Sequence, residues 1–353
     1  MKFPKLIKFL RNPKTYLSTI PSRIVCIIFQ LKMSKERKIC NGNEYSDRIF
    51  YIIGVDCGNR GIMQIMLHVL YHIIYAENNN YTPIVDMKNF QSQYSDGNIN
   101  AWECFFRQPT QYSLDTIKKA KNIIYSQNNP NPPLEGYEYF DLLNKEKTRY
   151  YRILFQKKII YNYNMRKYIK NQYDSIIGDK KNILGVLCRG TDFVCKRPPL
   201  HPVQPSVKEV LEKAYGVMET NNCSYLFLAT EDSDILEAFR NKFGNKLLSI
   251  EQKRYSSNDV AELNSISQLE SNNISDKIKI AMDYISALNI LATCKYFIGG
   301  IAGGTQGVYL MSNGFEYDHL WNLGRYPDSI KSQAKKIYHI IKGTRGAFCE
   351  MYY

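Results

Sequence analysis

The sequence predicts an α/β protein built on two doubly wound, mostly parallel sheets, and three observations carry that expectation. A strand, a glycine-rich turn, a helix and a second strand follow one another between residues 48 and 86. Strand and helix then alternate four times between residues 182 and 300, the pattern written by a parallel sheet covered on both faces. The third observation is size: 353 residues and 41.1 kDa exceed one ordinary core and suit two.

In the first half, Arg48-Ile49-Phe50-Tyr51-Ile52-Ile53 is a short apolar run rich in β-branched and aromatic residues, so it reads as a buried strand. Gly54 to Gly61, with glycine, aspartate and asparagine, ends it in a turn. Ile62, Ile65, Met66, Val69, Leu70, Ile73 and Ile74 recur at helical spacing, and Pro83-Ile84-Val85-Asp86 is the next strand. Lys121 to Tyr125 is a further strand candidate, and the proline- and asparagine-rich stretch from Gln127 to Gly136 is a loop.

The second half is clearer. Strands are predicted at Asn182 to Cys188, Ser224 to Thr230, Leu247 to Ile250 and Tyr296 to Gly300. Helices are predicted from a Ser206 cap to about Thr220, from Asp232 to Phe243 and from Ala281 to Ala292. A boundary falls near residues 171–181. The expected layout is a basic arm (1–45), a Rossmann-like domain (46–175), a second Rossmann-like domain (176–325) and a closing helix (326–353) that crosses back to the first. Two such domains face one central cleft.

Composition excludes several classes. Hydrophobic residues at 44% and charged residues at 23% are those of a globular protein, with no case for global disorder. The net charge is +14, and residues 1–40 hold ten cations against one carboxylate, Glu36, which implies a nearly balanced body. A basic arm on a balanced body speaks for a local acidic contact and against nucleic acid as partner. Basic and apolar residues interleave in the arm, so it reads either as an anchor on an anionic membrane surface or as a helix packed on the body. Its longest apolar run is too short to span a bilayer, and no signal peptide is apparent. The nine cysteines are scattered without a C-x-x-C pair, which points to reduced thiols and a cytoplasmic setting. His68 and His72 share a helix face without a metal-binding motif and are expected at a partly buried surface. No metal site is expected.

Three strand ends carry the chemistry. After the first strand of the second half comes Cys188-Arg189-Gly190-Thr191-Asp192, where an arginine can grip phosphate bidentately. Thr230-Glu231-Asp232 follows the next strand. Gly299 to Gly307 leaves the last one, and the amides of Gly303 and Gly304 with Thr305 and Gln306 form an anion cradle at a helix start. Each has a plainer reading: Arg189 pairs with Asp192 or Asp232, Asp232 caps a helix, and the glycines let a helix pack on the sheet. Taken together they favour a phosphate-containing ligand.

The segment Gly185 to Asp192, followed by His201-Pro202, resembles the H-x-R-R-T-D segment and downstream His-Pro of the α1,6-fucosyltransferases, within the wider superfamily that includes the protein O-fucosyltransferases. The likeness runs through Phe227 to Asp232 and Cys294 to Gln306; earlier in the chain it rests on Gly58-Asn59 and Pro83 to Asp86. The resemblance implies a GT-B fold and an inverting glycosyltransferase of the bacterial surface-polysaccharide type. It further implies a nucleotide-sugar donor, most often GDP-fucose, with no required metal or other cofactor. By the same resemblance Arg189 and Gly190 meet the donor phosphates, Gly303, Gly304, Thr305 and Gln306 hold the pyrophosphate, and Thr230, Glu231 and Asp232 approach the donor sugar. This sequence departs from the family at Leu187 (histidine there), Gly190 (the second arginine) and Ala287 (an acid), with Asp283 one turn earlier as the substitute for that acid. Asp192, with Glu231 behind it, is the expected catalytic base. Gly58, Asn59, Arg197 and His201 are the expected acceptor side. The acceptor would be a cell-surface glycan or lipid-linked oligosaccharide at the inner face of the plasma membrane. The alternative is a non-catalytic scaffold that binds glycans or nucleotides in a polysaccharide assembly system.

Overall fold

The structure is a computed structural model that describes residues 37–55, 61–90, 92–126, 132, 134, 140–190, 197–198, 201–256, 259 and 273–327. Most of the arm, the loop containing Gly58 and Asn59, the segment containing Asp192, and the expected closing helix beyond Pro327 lie outside the described residues.

Two sheets organise the chain. The first is four-stranded: β1 (Arg37–Ile39), β2 (Phe50–Gly54), β3 (Thr82–Asp86) and β4 (Ile123–Tyr125), in the order β1-β4-β2-β3. Strands β2, β3 and β4 are parallel, and β1 pairs antiparallel with β4. The long α1 (Ile62–Asn78) covers one face, and residues 112–120 with Tyr45 cover the other. A short helix, α2 (Trp102–Phe105), follows β3. Two further helices, α3 (Lys145–Lys158) and α4 (Tyr163–Ile176), are each started by an asparagine, Asn144 or Asn162, whose side chain accepts an amide hydrogen bond from the first turn.

The second sheet is wholly parallel, in the order β7-β6-β5-β8-β9: β5 (Ile183–Leu187), β6 (Tyr225–Ala229), β7 (Leu247–Leu248), β8 (Tyr296–Gly300) and β9 (Tyr317–Trp321). On one face lie α5 (Val207–Thr220) and α6 (Ser233–Phe243), and on the other α7 (Ile274–Thr293) and α8 (Gly303–Met311). The sheet is therefore doubly wound as expected. Ser206 starts α5 with a full capping box to Glu209, and Asp232 caps α6.

The two halves share a core. One apolar cluster takes in α1 of the first half, α3 and α4, and α7 and α8 of the second. The cluster joins Met63, Tyr151 and Phe155 with Leu288, Val308 and Leu310. Gly307 lets α8 close on α1, since a β-carbon there would stand 2.4 Å from Met63 Sδ. Side chains of α3 bind the far end of α8: Arg152 Nε donates to the Tyr309 carbonyl at 3.0 Å, and Gln156 Nε2 donates to the carbonyls of Leu310, Met311 and Ser312 at 3.2–3.3 Å. A cation and an amide at carbonyls that a helix end leaves unpaired suit the negative end of the macrodipole.

Two sequence expectations change. His68 and His72 are buried in the core and are not at a surface: His72 Nδ1 bonds with the Tyr51 hydroxyl at 2.8 Å, and His68 Nε2 reaches the Gly54 carbonyl at 3.4 Å. The strand expected over 247–250 shrinks to two residues, because β7 is an edge strand paired only with Leu226 and Phe227. Replacing Arg152 with alanine is expected to lower stability by about 1–2 kcal/mol in urea unfolding, through loss of the α8 end contact. An unchanged midpoint would show that the contact adds nothing.

Candidate anion-binding site

In the second sheet the chain runs outward from β5 through β6 to β7, then returns to the other side of β5 for β8 and β9. The reversal lies between β5 and β8, and the carboxyl ends of the strands at such a reversal are where open parallel sheets bind ligands. Arg189 and Gly190 leave β5 there, Glu231 leaves β6 beside them, and Gly300 to Ala302 leave β8 to start α8.

Arg189 Nε stands 3.4 Å from Glu231 Oε1, with the two side chains 21% and 18% exposed. The same carboxylate oxygen accepts a hydrogen bond from the Gly190 amide at 3.1 Å. One oxyanion thus meets a guanidinium and a backbone N–H, the donor set a phosphate oxygen would use. The neighbours of Glu231 serve the turn. Asp232 caps α6 by accepting from the amides of Asp234 and Ile235 at 2.9 and 3.0 Å, and its own amide donates to Thr230 Oγ1 at 3.2 Å. Both are buried. Gln252 Nε2 bonds the Thr230 carbonyl, and backbone bonds from Tyr255 to Glu231 and from Ser233 to Tyr255 clamp the turn from outside.

The packing around Leu187, Gly190 and Ala287 is close. A β-carbon at Gly190 would stand 2.3 Å from Asp232 Oδ2 and 2.7 Å from Ile235 Cδ1, so the site of the second arginine has no room for a side chain. Leu187 and Ala287 are buried in the shared core. Cys188 is also buried, and burial first, then the charges of Glu231 and Asp232, push its thiol far above the ordinary range, so it stays protonated.

The start of α8 forms the other side of the site. Its N-cap, Ala302, provides no side-chain acceptor. Gly303 faces open space, and Gln306, one turn on, carries a buried Oε1 with no hydrogen-bond partner. Thr305 is fully buried and its hydroxyl donates to the Gly300 carbonyl at 2.5 Å, fixing the bend between strand and helix. Gln204 supports that bend by donating to the Ile301 carbonyl at 2.8 Å.

Sequence reasoning missed Tyr284. Its hydroxyl reaches the site from α7: a β-carbon at Gly304 would stand 2.7 Å from it. Burial pushes the phenol up to about 12, while Arg189 pulls it down and Glu231 raises it, which puts it within the field of both. It is therefore a neutral donor between the arginine and the helix start. Among 28 tyrosines, helical spacing alone did not mark it.

The remaining expected residues are elsewhere. Asp283 sits at the packing of α7 on α4, where it accepts from Tyr168 Oη at 2.5 Å and pairs with Lys279 at 2.8 Å. Arg197 is exposed with φ of 44°, and His201 follows it in a segment tied by backbone bonds to Gly324 and Tyr326. Among the described residues no three His, Cys, Asp or Glu side chains are grouped to hold a metal ion.

No protein-family profile and no curated protein sequence matches the chain. Among solved structures it is similar to NodZ α1,6-fucosyltransferase soaked with GDP-fucose, at 13% identity over 75% of this chain and 93% of that one, with a TM-score of 0.44. Fucosyltransferase NodZ from Bradyrhizobium gives 13%, 75% and 94%, with 0.45. The POFUT1 apo-form gives 12% identity over 79% of this chain and 100% of that one, with 0.45.

Two outcomes test the geometry. Gly190→Ala is expected to cost about 1–3 kcal/mol of stability, because the added methyl must displace Asp232 from its cap; wild-type stability would mean that the close approach is not real. Tyr284→Phe is expected to leave folding intact and to weaken nucleoside diphosphate binding about 3- to 15-fold by calorimetry. Unchanged affinity would remove Tyr284 from the site.

Proposed function

We propose that the chain is an inverting glycosyltransferase that takes its sugar from a nucleotide donor, GDP-fucose in the first place, and passes it to a cell-surface glycan or lipid-linked oligosaccharide. The observation that supports this most is the meeting of Arg189, the Gly190 amide and the uncapped start of α8 at the reversal between β5 and β8. The orphan Gln306 Oε1 adds an acceptor for a ligand hydroxyl or amide.

In the reaction an acceptor hydroxyl attacks the anomeric carbon as the bond from that carbon to the diphosphate breaks. The electron pair leaves with the diphosphate, and the hydroxyl proton passes to a carboxylate. Arg189, Tyr284 and the amides of Gly303 and Gly304 stabilise the charge that develops on the leaving group, where preorganised donors have most effect. Asp192 remains the proposed base and Glu231 its second. Before the donor arrives, Glu231 holds Arg189, and the incoming phosphate must share or take over those donors. The resemblance implies transfer without a required metal. The basic arm is proposed to hold the enzyme at the cytoplasmic face of an anionic membrane, its residues 1–36 lying outside those described.

A second reading, a non-catalytic nucleotide- or glycan-binding scaffold, is favoured by the absence of room at Gly190 for the family's second arginine.

The test is a thermal-shift series with GDP, UDP, dTDP and CMP and their sugars, each in EDTA and in magnesium, followed by turnover assays. A shift with GDP that EDTA leaves intact is expected. Arg189→Ala is expected to lower donor affinity or rate about 10- to 150-fold, the worth of a charged hydrogen bond. Binding without turnover would select the scaffold, and no shift with any nucleotide would sink both readings.

A further inference from the structure

The body of the chain is not evenly balanced in charge, contrary to the sequence expectation. Residues 143–170 hold nine Lys and Arg against one carboxylate, Glu146. This segment is α3, the corner after it and the start of α4. The same stretch contains four of the seven large apolar side chains exposed among the described residues: Leu143 at 55%, Ile153 at 60%, Ile160 at 37% and Tyr163 at 68%.

Helical periodicity sorts α3 into two faces. Thr148, Tyr151 and Phe155 are buried and point into the shared core. Arg149, Ile153 and Lys157 are four residues apart and all exposed, so they form one outward stripe, and the exposed Ile160 and Tyr163 follow at the corner between α3 and α4. Glu146 lies on the same side near the helix start. One exposed isoleucine on a solvated helix is ordinary, but four large apolar side chains gathered in one cation-rich segment fit the boundary between lipid headgroups and acyl chains. Nucleic acid would be met by cations alone or with stacking aromatic rings, and the central groups here are aliphatic.

We propose that the outward face of α3 and its corner with α4 dock on an anionic lipid surface, independently of the N-terminal arm and of the catalytic reading. Ile153 and Ile160 would enter the interface while Arg149, Lys157 and the cations of α4 meet the headgroups. Attraction to an anionic surface falls by about fivefold for each cation neutralised near it.

The test uses the full chain and vesicles of phosphatidylcholine with and without phosphatidylglycerol. Sedimentation with the anionic vesicles only is expected, together with slowed hydrogen exchange over residues 149–163. Ile153→Asp with Ile160→Asp should weaken partition at least tenfold, and Arg149→Gln with Lys157→Gln about 25-fold, both with an unchanged circular dichroism spectrum. The exchange measurement needs no variant, so a misfolded substitution does not leave the proposal undecided. Exchange slowed only in residues 1–36 would overturn the proposal. So would aspartate variants that sediment like wild type, or single-stranded RNA binding that the glutamine variants weaken and the aspartate variants do not.

Discussion

Helix α8 is held at both ends by different parts of the chain, and the candidate site exists because of it. Its start lies at the reversal of the parallel sheet, where Thr305 ties back to the Gly300 carbonyl and no side chain caps the first amides. Its end is gripped by Arg152 and Gln156 from α3. Nine residues span about 13 Å, so the carbonyl end and the amide end belong to one short rod with a fixed direction. Glycines on its flank, Gly304 and Gly307, admit the Tyr284 hydroxyl and the Met63 side chain at distances a β-carbon would forbid. Tight packing by α1, α3 and α7 is what lets the first turn remain uncapped without fraying.

A partly buried arginine beside an anion site raises an electrostatic question that the structure answers through Glu231. An unpaired guanidinium in a crevice would carry a desolvation cost of its own. The carboxylate of Glu231 offsets it by pairing with the Arg189 charge while it accepts from the Gly190 amide. The pair is partly open to solvent and at 3.4 Å is not tightly closed, so a phosphate with two negative charges competes well for the same donors. The neighbouring Thr230 and Asp232 are engaged in the turn itself.

Much of the fold was legible because the strands of parallel sheets are continuous apolar runs. Residues 183–187, 225–229 and 296–300 announce themselves in that way. β9 did not, since Tyr317-Asp318-His319-Leu320-Trp321 is an edge strand with a polar face. The sequence reading also left α3 and α4 unassigned. Their buried stripes are narrow, a few residues each, and the surrounding lysines and arginines hide the period. In the site, Arg189, Glu231 and the glycines of α8 stood out because strand ends in doubly wound sheets are where ligands bind. Tyr284 and Gln204 reach the site from elements distant in sequence, and only packing brings them there. The partners of Asp283, Tyr168 from α4 and Lys279 one turn away, are likewise visible only in the packing.

The same periodicity that hid α3 explains how it serves two surfaces. Residues 152 and 156 face α8, while 149, 153 and 157 face outward, a separation that the 100° step of a helix produces without further design. A membrane contact on the outer stripe would therefore bear on the helix that grips the end of α8, and α8 in turn presents its amides to the site. Over residues 41–353 the charge of this segment is only partly offset, because the residues outside it carry three more carboxylates than cations. Positive charge concentrated on one face gives a protein a preferred orientation on an anionic surface. A lipid-linked acceptor would then approach one side of the molecule only.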